Sequence, residues 1–188
     1  MQTQDKKFII QCKKREAQAL SRFYDLFIKK IYKFVYYKTH HKETAEDLTS
    51  LVFTKAFENI EHIDITKSLQ AWLYTIARNT VIDHYRTRKS HFDIDDAWGL
   101  SSSERLDELV DNNVQLEKVK KYLRNLTSEQ RDIVIMRVWQ GMSYKEIAQI
   151  LDKSEASCKM SFSRTMKKLR HDMPLETLLL LLFLNFIV

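Results

Sequence analysis

The chain has 188 residues, enough for one ordinary domain or two small ones, and its two Gly and one Pro (Pro174) argue against a turn-rich β fold and for an all-α protein. A net charge of +6 and a pI near 9.2 suit a polyanionic partner. Two isolated cysteines, Cys12 and Cys158, exclude a disulfide framework or a Cys-x-x-Cys zinc site, and the adjacent His40-His41 pair lacks the i, i+4 spacing of a helical metal site.

In chain order, Met1 to Gln18 is charged throughout and has no secretory-signal core. From Leu20 to Thr39, apolar residues recur at Phe23, Leu26, Phe27, Ile31, Phe34 and Val35, predicting an amphipathic helix with Lys on its other side. A second helix is predicted over about 42–61, with Ala45, Leu48, Val52, Ala56 and Ile60 in one stripe and Leu51 and Phe53 partly off it. A polar loop, Glu61 to Ser68, leads to a third helix from Leu69 to Lys89. That helix carries a core stripe of Leu69, Trp72, Leu73 and Ile76, and a second line at Tyr74, Arg78, Val81 and Tyr85. Aromatics interleaved with Arg suit single-stranded nucleic acid, where bases stack on rings and guanidinium groups hold phosphates, but the second line suits packing against another helix equally well.

Charge then changes sign. Met1 to Ser90 holds 17 Lys/Arg against 10 Asp/Glu, His91 to Asn113 holds 1 against 7, and Val114 to Val188 holds 13 against 8. The acidic block also contains Gly99 and a Ser triplet, so it reads as a linker between two helical domains.

Beyond it, Gly141 ends a helix, and Ser143 with Glu146 three residues later forms a capping-box signature at the head of "SYKEIAQIL". Asp152-Lys153-Ser154 forms a turn, and Ser154 caps a further helix from about Glu155 to Arg170. This is the order of a helix-turn-helix, which sets a basic helix in the DNA major groove. At 100° per residue, Cys158, Phe162, Thr165, Met166 and Leu169 share the inner side. Ser157, Met160, Ser163, Arg164 and Lys167 face outward, with Lys159 and Lys168 flanking them, a face suited to phosphates and base edges.

The tail, "LETLLLLLFLNFIV", has an apolar run from Leu178 to Val188. Eleven helical residues reach only about 16 Å, half a bilayer core, so the run cannot span a membrane alone. It is expected to pack on the preceding domain, to meet a membrane surface or protein partner, or to begin a longer membrane segment. No paired-carboxylate motif, phosphate-binding Gly loop or nucleophile signature is present, so the chain reads as cytoplasmic and non-catalytic, without cofactor or metal.

Three ordered motifs, "AEDLTSLVFTKAFENI" (45–60), "AWLYTIARNTVIDHYR" (71–86) and "LTSEQRDIVIMRVWQGMSYKEIAQILDKSEASCKMSFSRTMKKLR" (126–170), resemble bacterial extracytoplasmic-function (ECF) sigma factors over roughly residues 8–172. The resemblance implies two small helical domains: region 2 over 8–90 and region 4 over 114–173, joined by a linker over 91–113 and followed by the tail, 174–188. It implies docking on the β′ clamp helices of core RNA polymerase through Asp47, Leu48, Thr49, Val52 and Phe53, with Lys55 beside them. The loop 62–68, including Lys67 and Ser68, would capture a base flipped from the −10 element, with Asn79 on the same surface. Arg78, His84, Arg86, Arg88 and Lys89 would hold phosphates around the opening bubble. Flipping a base costs a few kcal/mol, which a selective pocket recovers while reading sequence. Asp83 is expected to pair with an Arg.

The outward face of the last long helix would read the −35 element. The family often has Gly-Thr-Val-Lys followed by Arg, where this chain has Ala156, Ser157, Cys158, Lys159 and then Met160-Ser161, so −35 reading is expected to be weakened or retuned. The acidic linker would thread the polymerase cleft as a nucleic-acid mimic. Partners implied are core polymerase, promoter DNA and an anti-sigma factor that holds the chain at the inner membrane face, with no small-molecule substrate. The competing readings are a free-standing helix-turn-helix repressor or activator and a membrane-associated adaptor. Neither uses a polymerase-docking helix or a base-capturing loop.

Overall fold

The computed structural model describes residues 3–88, 119 and 121–183, with side chains described for 6–87, 119 and 121–182. The described residues are helical or irregular, with no strand among them. The chain divides into two compact units. Arg88 closes the last helix of the first unit, but its side chain, Lys89 and the whole acidic segment 91–113 lie outside the described residues.

In the first unit, α1 (Thr3–Lys13), α2 (Ala17–Thr39), α3 (Lys42–Asn59), a 3-10 turn (Ile60–His62) and α4 (Leu69–Arg88) follow in order. Ahead of the first helix expected from periodicity, α1 buries Ile9 and Cys12 and packs on α2 and the 3-10 turn. Helix α2 buries Ala19, Phe23, Phe27, Ile31, Phe34 and Val35, spaced at three and four residues as a helical stripe requires. Leu26, expected in that stripe, is exposed because it stands about 100° from Phe27.

The junction between α2 and α3 is built by the histidine pair. His40 takes a left-handed conformation (φ 53°) and its N–H donates to Tyr36 O at 2.8 Å, closing α2. His41 Nδ1 then accepts from Thr44 N at 3.2 Å, capping α3.

Helix α3 packs against both α2 and α4, and α4 also packs against α2. This three-way arrangement buries more than one stripe on each helix. Phe53 therefore meets Tyr24 (ring centroids 4.8 Å), Phe23 (6.1 Å) and Phe57 (6.1 Å). On α4, Tyr74 packs edge-on against Phe34 at 5.1 Å.

In the second unit, α5 (Ser128–Val134) starts at a capping box between Thr127 and Gln130 and runs into a π-helical turn, Ile135–Trp139, in which Gln140 N donates to Ile135 O at 3.2 Å. Gly141, at φ +64°, breaks the helix in a region open to glycine. Helices α6 (Tyr144–Leu151), α7 (Glu155–Asp172) and α8 (Leu175–Phe183) follow.

The tail packs within this unit. Thr177, Leu178 and Leu181 are buried, and Trp139 Nε1 donates to the Leu181 carbonyl at 2.7 Å. Leu175, Leu179 and Leu182 remain exposed on the other side of α8. No helix among the described residues is long and apolar enough to cross a membrane.

Candidate nucleic-acid interface and its supporting elements

The helix-turn-helix is built from local signals. Ser143 Oγ accepts from Glu146 N at 3.2 Å, while Glu146 Oε2 accepts from Ser143 N at 3.0 Å, so two orphan amides at the head of α6 are satisfied together. Asp152 ends α6 in the left-handed region (φ 53°), and Ser154 Oγ accepts from Ser157 N at 3.1 Å to start α7. Lys153, in the turn, is fixed by Glu129 of α5 at 2.7 Å.

Two aromatic contacts carry this order into α7. The Arg137 guanidinium lies 4.7 Å over the Tyr144 ring, and Tyr144 meets Phe162 edge-on at 5.9 Å. Arg137 Nη1 also donates to Met142 O at 2.7 Å, which positions the entry to α6.

Cys158, Thr165, Met166 and Leu169 are buried and Phe162 is half-buried, so the inner side of α7 is as the periodicity requires. Ser157, Lys159, Met160, Ser163, Arg164, Lys167 and Lys168 are all exposed. Lys168 Nζ donates to Asn125 O at 3.1 Å, which draws this base toward the edge of the unit. Burial pushes the Cys158 thiol above its ordinary value, and it pushes Cys12 up to about 11, so both stay protonated and unreactive near neutral pH.

The first unit distributes its nominated residues differently. On α3, Asp47 is exposed, but Leu48, Thr49, Val52 and Phe53 are buried. Phe53 is corrected most clearly: expected partly off the stripe as a partner anchor, it is 3% exposed inside the aromatic cluster with α2. Thr49 Oγ1 donates to Ala45 O at 2.6 Å, which satisfies its hydroxyl within its own helix. Lys55 Nζ donates to Thr80 Oγ1 of α4 at 3.4 Å, and Leu51, outside the nominated set, is exposed.

The loop after α3 is a structured turn. Asp64 accepts from Thr66 N at 2.9 Å and from Thr66 Oγ1 at 2.7 Å, and these bonds hold its carboxyl below the usual aspartate value. Lys67 N donates to Asp64 O at 3.0 Å, leaving the Lys67 side chain exposed, and Ser68 Oγ accepts from Ala71 N at 3.3 Å to cap α4. Two supports come from the end of α1, which sequence reasoning missed because fifty residues of separation give no local signal: Lys13 Nζ donates to Ile63 O at 2.9 Å, and Arg15 pairs with Glu61. The Arg15 bond also holds the Glu61 carboxyl below its ordinary value.

On α4 both expected lines contribute to the core. Leu73 of the expected core stripe is fully buried, as are Tyr74 and Val81 of the second line, whereas Leu69, Trp72 and Ile76 are only half-buried. Tyr85 is half-buried and its hydroxyl donates to Lys38 O at 3.3 Å. The aromatic line is thus a helix-packing feature. Arg78 and His84 are half-buried, and Asn79 and Arg86 are exposed. Asp83 pairs with Arg86 at 3.1 Å, as expected of it.

Comparison with known proteins places both units in one lineage. The sigma-70 region 2 family matches residues 23–91 and the sigma-70 region 4 family matches residues 116–169. The chain is similar to the ECF RNA polymerase sigma factor BldN of Streptomyces coelicolor, 32% identical over 167 residues, covering 85% of this chain and 62% of that relative's length. It is also similar to the RNA polymerase sigma factor YlaC of Bacillus subtilis, 28% identical over 163 residues, covering 85% of this chain and 94% of that relative. Among solved structures, the sigma factor RpoE of Bartonella quintana, in complex with the anti-sigma factor NepR, shares the fold with a TM-score of 0.62 at 24% identity, over 80% of this chain and 94% of that one.

Proposed function

The chain belongs to the ECF RNA polymerase sigma factors, a non-enzymatic family that directs RNA polymerase to promoters, and on that premise we propose how its surfaces divide the work. The capped helix-turn-helix with the outward face of α7 carries the reading: seven exposed residues offer hydroxyls, long bases and one thioether to duplex DNA. Region 4 (114–173) sets Ser157, Met160, Ser163 and Arg164 toward −35 base edges, and Lys159, Lys167 and Lys168 toward phosphates.

Region 2 (8–90) meets the polymerase clamp through the solvent edge of α3, with Asp47 and Lys55 as the polar contacts and Leu51 as an apolar one. Leu48, Thr49, Val52 and Phe53 act by holding that edge in place. The loop 62–68, including Lys67 and Ser68, takes the flipped −10 base with Asn79, and Arg78, His84, Arg86, Arg88 and Lys89 hold the surrounding phosphates. The linker 91–113 threads the polymerase cleft. An anti-sigma factor, the partner that the Bartonella quintana protein is seen with, sequesters the chain in the cytoplasm at the inner membrane face.

Adding the purified chain to core polymerase and mapping transcript starts tests the whole reading, and a free-standing repressor would produce no defined starts. Within that holoenzyme, replacing both Arg164 and Lys167 by Ala lowers duplex binding, and the lost Lys167 phosphate contact reduces the salt slope by about 1. Asn79→Ala leaves duplex binding unchanged and impairs opening. Normal permanganate reactivity of the Asn79 variant would remove the base-capture role.

A further inference from the structure

Helix α7 carries an exposed group that charge and phosphate chemistry do not explain. Met160 is 51% exposed, and among the described residues of α7 it is the one large apolar side chain left exposed. It lies two residues after the buried Cys158, about 200° around the helix from it, so it stands near the centre of the outward face. Ser157, Ser163, Arg164 and Lys167 around it are polar or cationic and exposed. Ala156, one turn earlier and also exposed, continues the apolar line with a methyl group.

A thioether forms no strong bond with a phosphate, and hydration of an apolar surface in the middle of a basic strip is unfavourable unless a partner covers it. Met160 is the sixth residue of α7, within the N-terminal half that a recognition helix presents to base edges. In the major groove the apolar group a base pair presents is the C5-methyl of thymine. We infer that Met160, with the Ala156 methyl beside it, packs against a thymine C5-methyl in the −35 element and selects thymine at that position. Ser157 and Ser163, whose hydroxyls serve either donor or acceptor edges, flank the contact without fixing the base. The inference rests on the −35 reading of α7 proposed above and adds the identity of one base.

The test uses the complete chain in holoenzyme and duplex fragments of a promoter found by transcript mapping. Each thymine of the −35 element is replaced in turn, on either strand, by deoxyuridine, which removes the methyl and nothing else. At one position the substitution weakens binding about fourfold, the effect of one buried methyl-sized group. Met160→Ala binds the thymine and deoxyuridine duplexes alike at that position while its affinity for core polymerase is unchanged. If no deoxyuridine matters but the Arg164 and Lys167 substitutions still weaken binding, the methyl contact is wrong and the −35 reading stands. If Met160→Ala keeps the fourfold difference, another group reads the methyl and the inference fails. If neither the base changes nor the charge removals alter duplex binding, the −35 reading falls and the inference with it.

Discussion

Helices α3 and α7 both carry motif residues, but they wear them on opposite sides. On α7 the seven candidate contacts are exposed and the core positions between them are separate residues. On α3, four of the six nominated positions point into the unit, leaving Asp47 exposed and Lys55 half-buried against α4. A helix packed on one side, at the surface of its unit, can divide scaffold from contact along its circumference. On α3 the most recognisable residues are mainly those that hold the helix in place, and its solvent edge is left to Asp47, Leu51 and the half-buried Lys55. All seven candidate contacts of α7 can therefore be substituted at little cost in stability, whereas on α3 four of the six cannot.

The strongest way to break this contrast is Phe53→Ala. Removing a ring that touches Phe23, Tyr24 and Phe57 is expected to cost about 3–5 kcal/mol in denaturant unfolding of the complete chain. Asp47→Ala should stay within about 0.5 kcal/mol of the parent while lowering co-purification with core polymerase. A Phe53 variant with the parental midpoint and a pure loss of polymerase binding would put Phe53 back among the contacts.

A second comparison lies along α8. Leu181, fully buried, should cost about 2–5 kcal/mol on replacement by Ala, and exposed Leu179 about 0.5 kcal/mol or less. Equal effects, read as the shift in the second unit's unfolding midpoint, would mean that α8 is not seated as described.

The smallest effect is expected at the loop, where Asp64 is fully exposed and its carboxyl is held down by the two bonds from Thr66. Because its folded value lies below the unfolded one, its contribution is present above the ordinary aspartate value of about 3.9 and is lost as pH falls through the folded value. The Asp64–Thr66 turn should thus loosen only in strong acid. An NMR titration of Asp64 that follows the Thr66 amide should show a midpoint below that ordinary value, and Thr66→Val should return it upward. A midpoint at the ordinary value in the parent chain would show that the turn does not hold in solution.

The helix-turn-helix was readable from residues because its signals are local. Ser143 with Glu146, Asp152 and Ser154 fix the ends of two helices through bonds spanning three or four residues, and α7 needed one buried stripe. The first unit depends on contacts between helices. Periodicity finds the apolar lines on α4 but not which neighbour each line meets, so on sequence grounds Tyr74 and Val81 fit nucleic acid or core, and the Phe34 ring packed on Tyr74 decides for the core. The ties from Lys13 and Arg15 to the loop join segments about fifty residues apart and leave no trace in either segment alone. His40 and His41, adjacent and so without the spacing of a helical metal site, act as a cap at each side of a helix junction.

The π-helical turn Ile135–Trp139 gives the second unit a constraint on residue number as well as residue type. It accommodates one residue more than an α-helical path would, and Arg137 and Trp139 within it reach in different directions, to Met142 and Tyr144 on one hand and to Leu181 on the other. Deleting one residue between 135 and 139 would close the wide turn to ordinary α-helical winding and remove the spacing by which Arg137 reaches Met142 and Tyr144 while Trp139 reaches Leu181. Related chains are accordingly expected to vary here by exchange of side chains and to keep the count of residues between Thr127 and Ser143 constant.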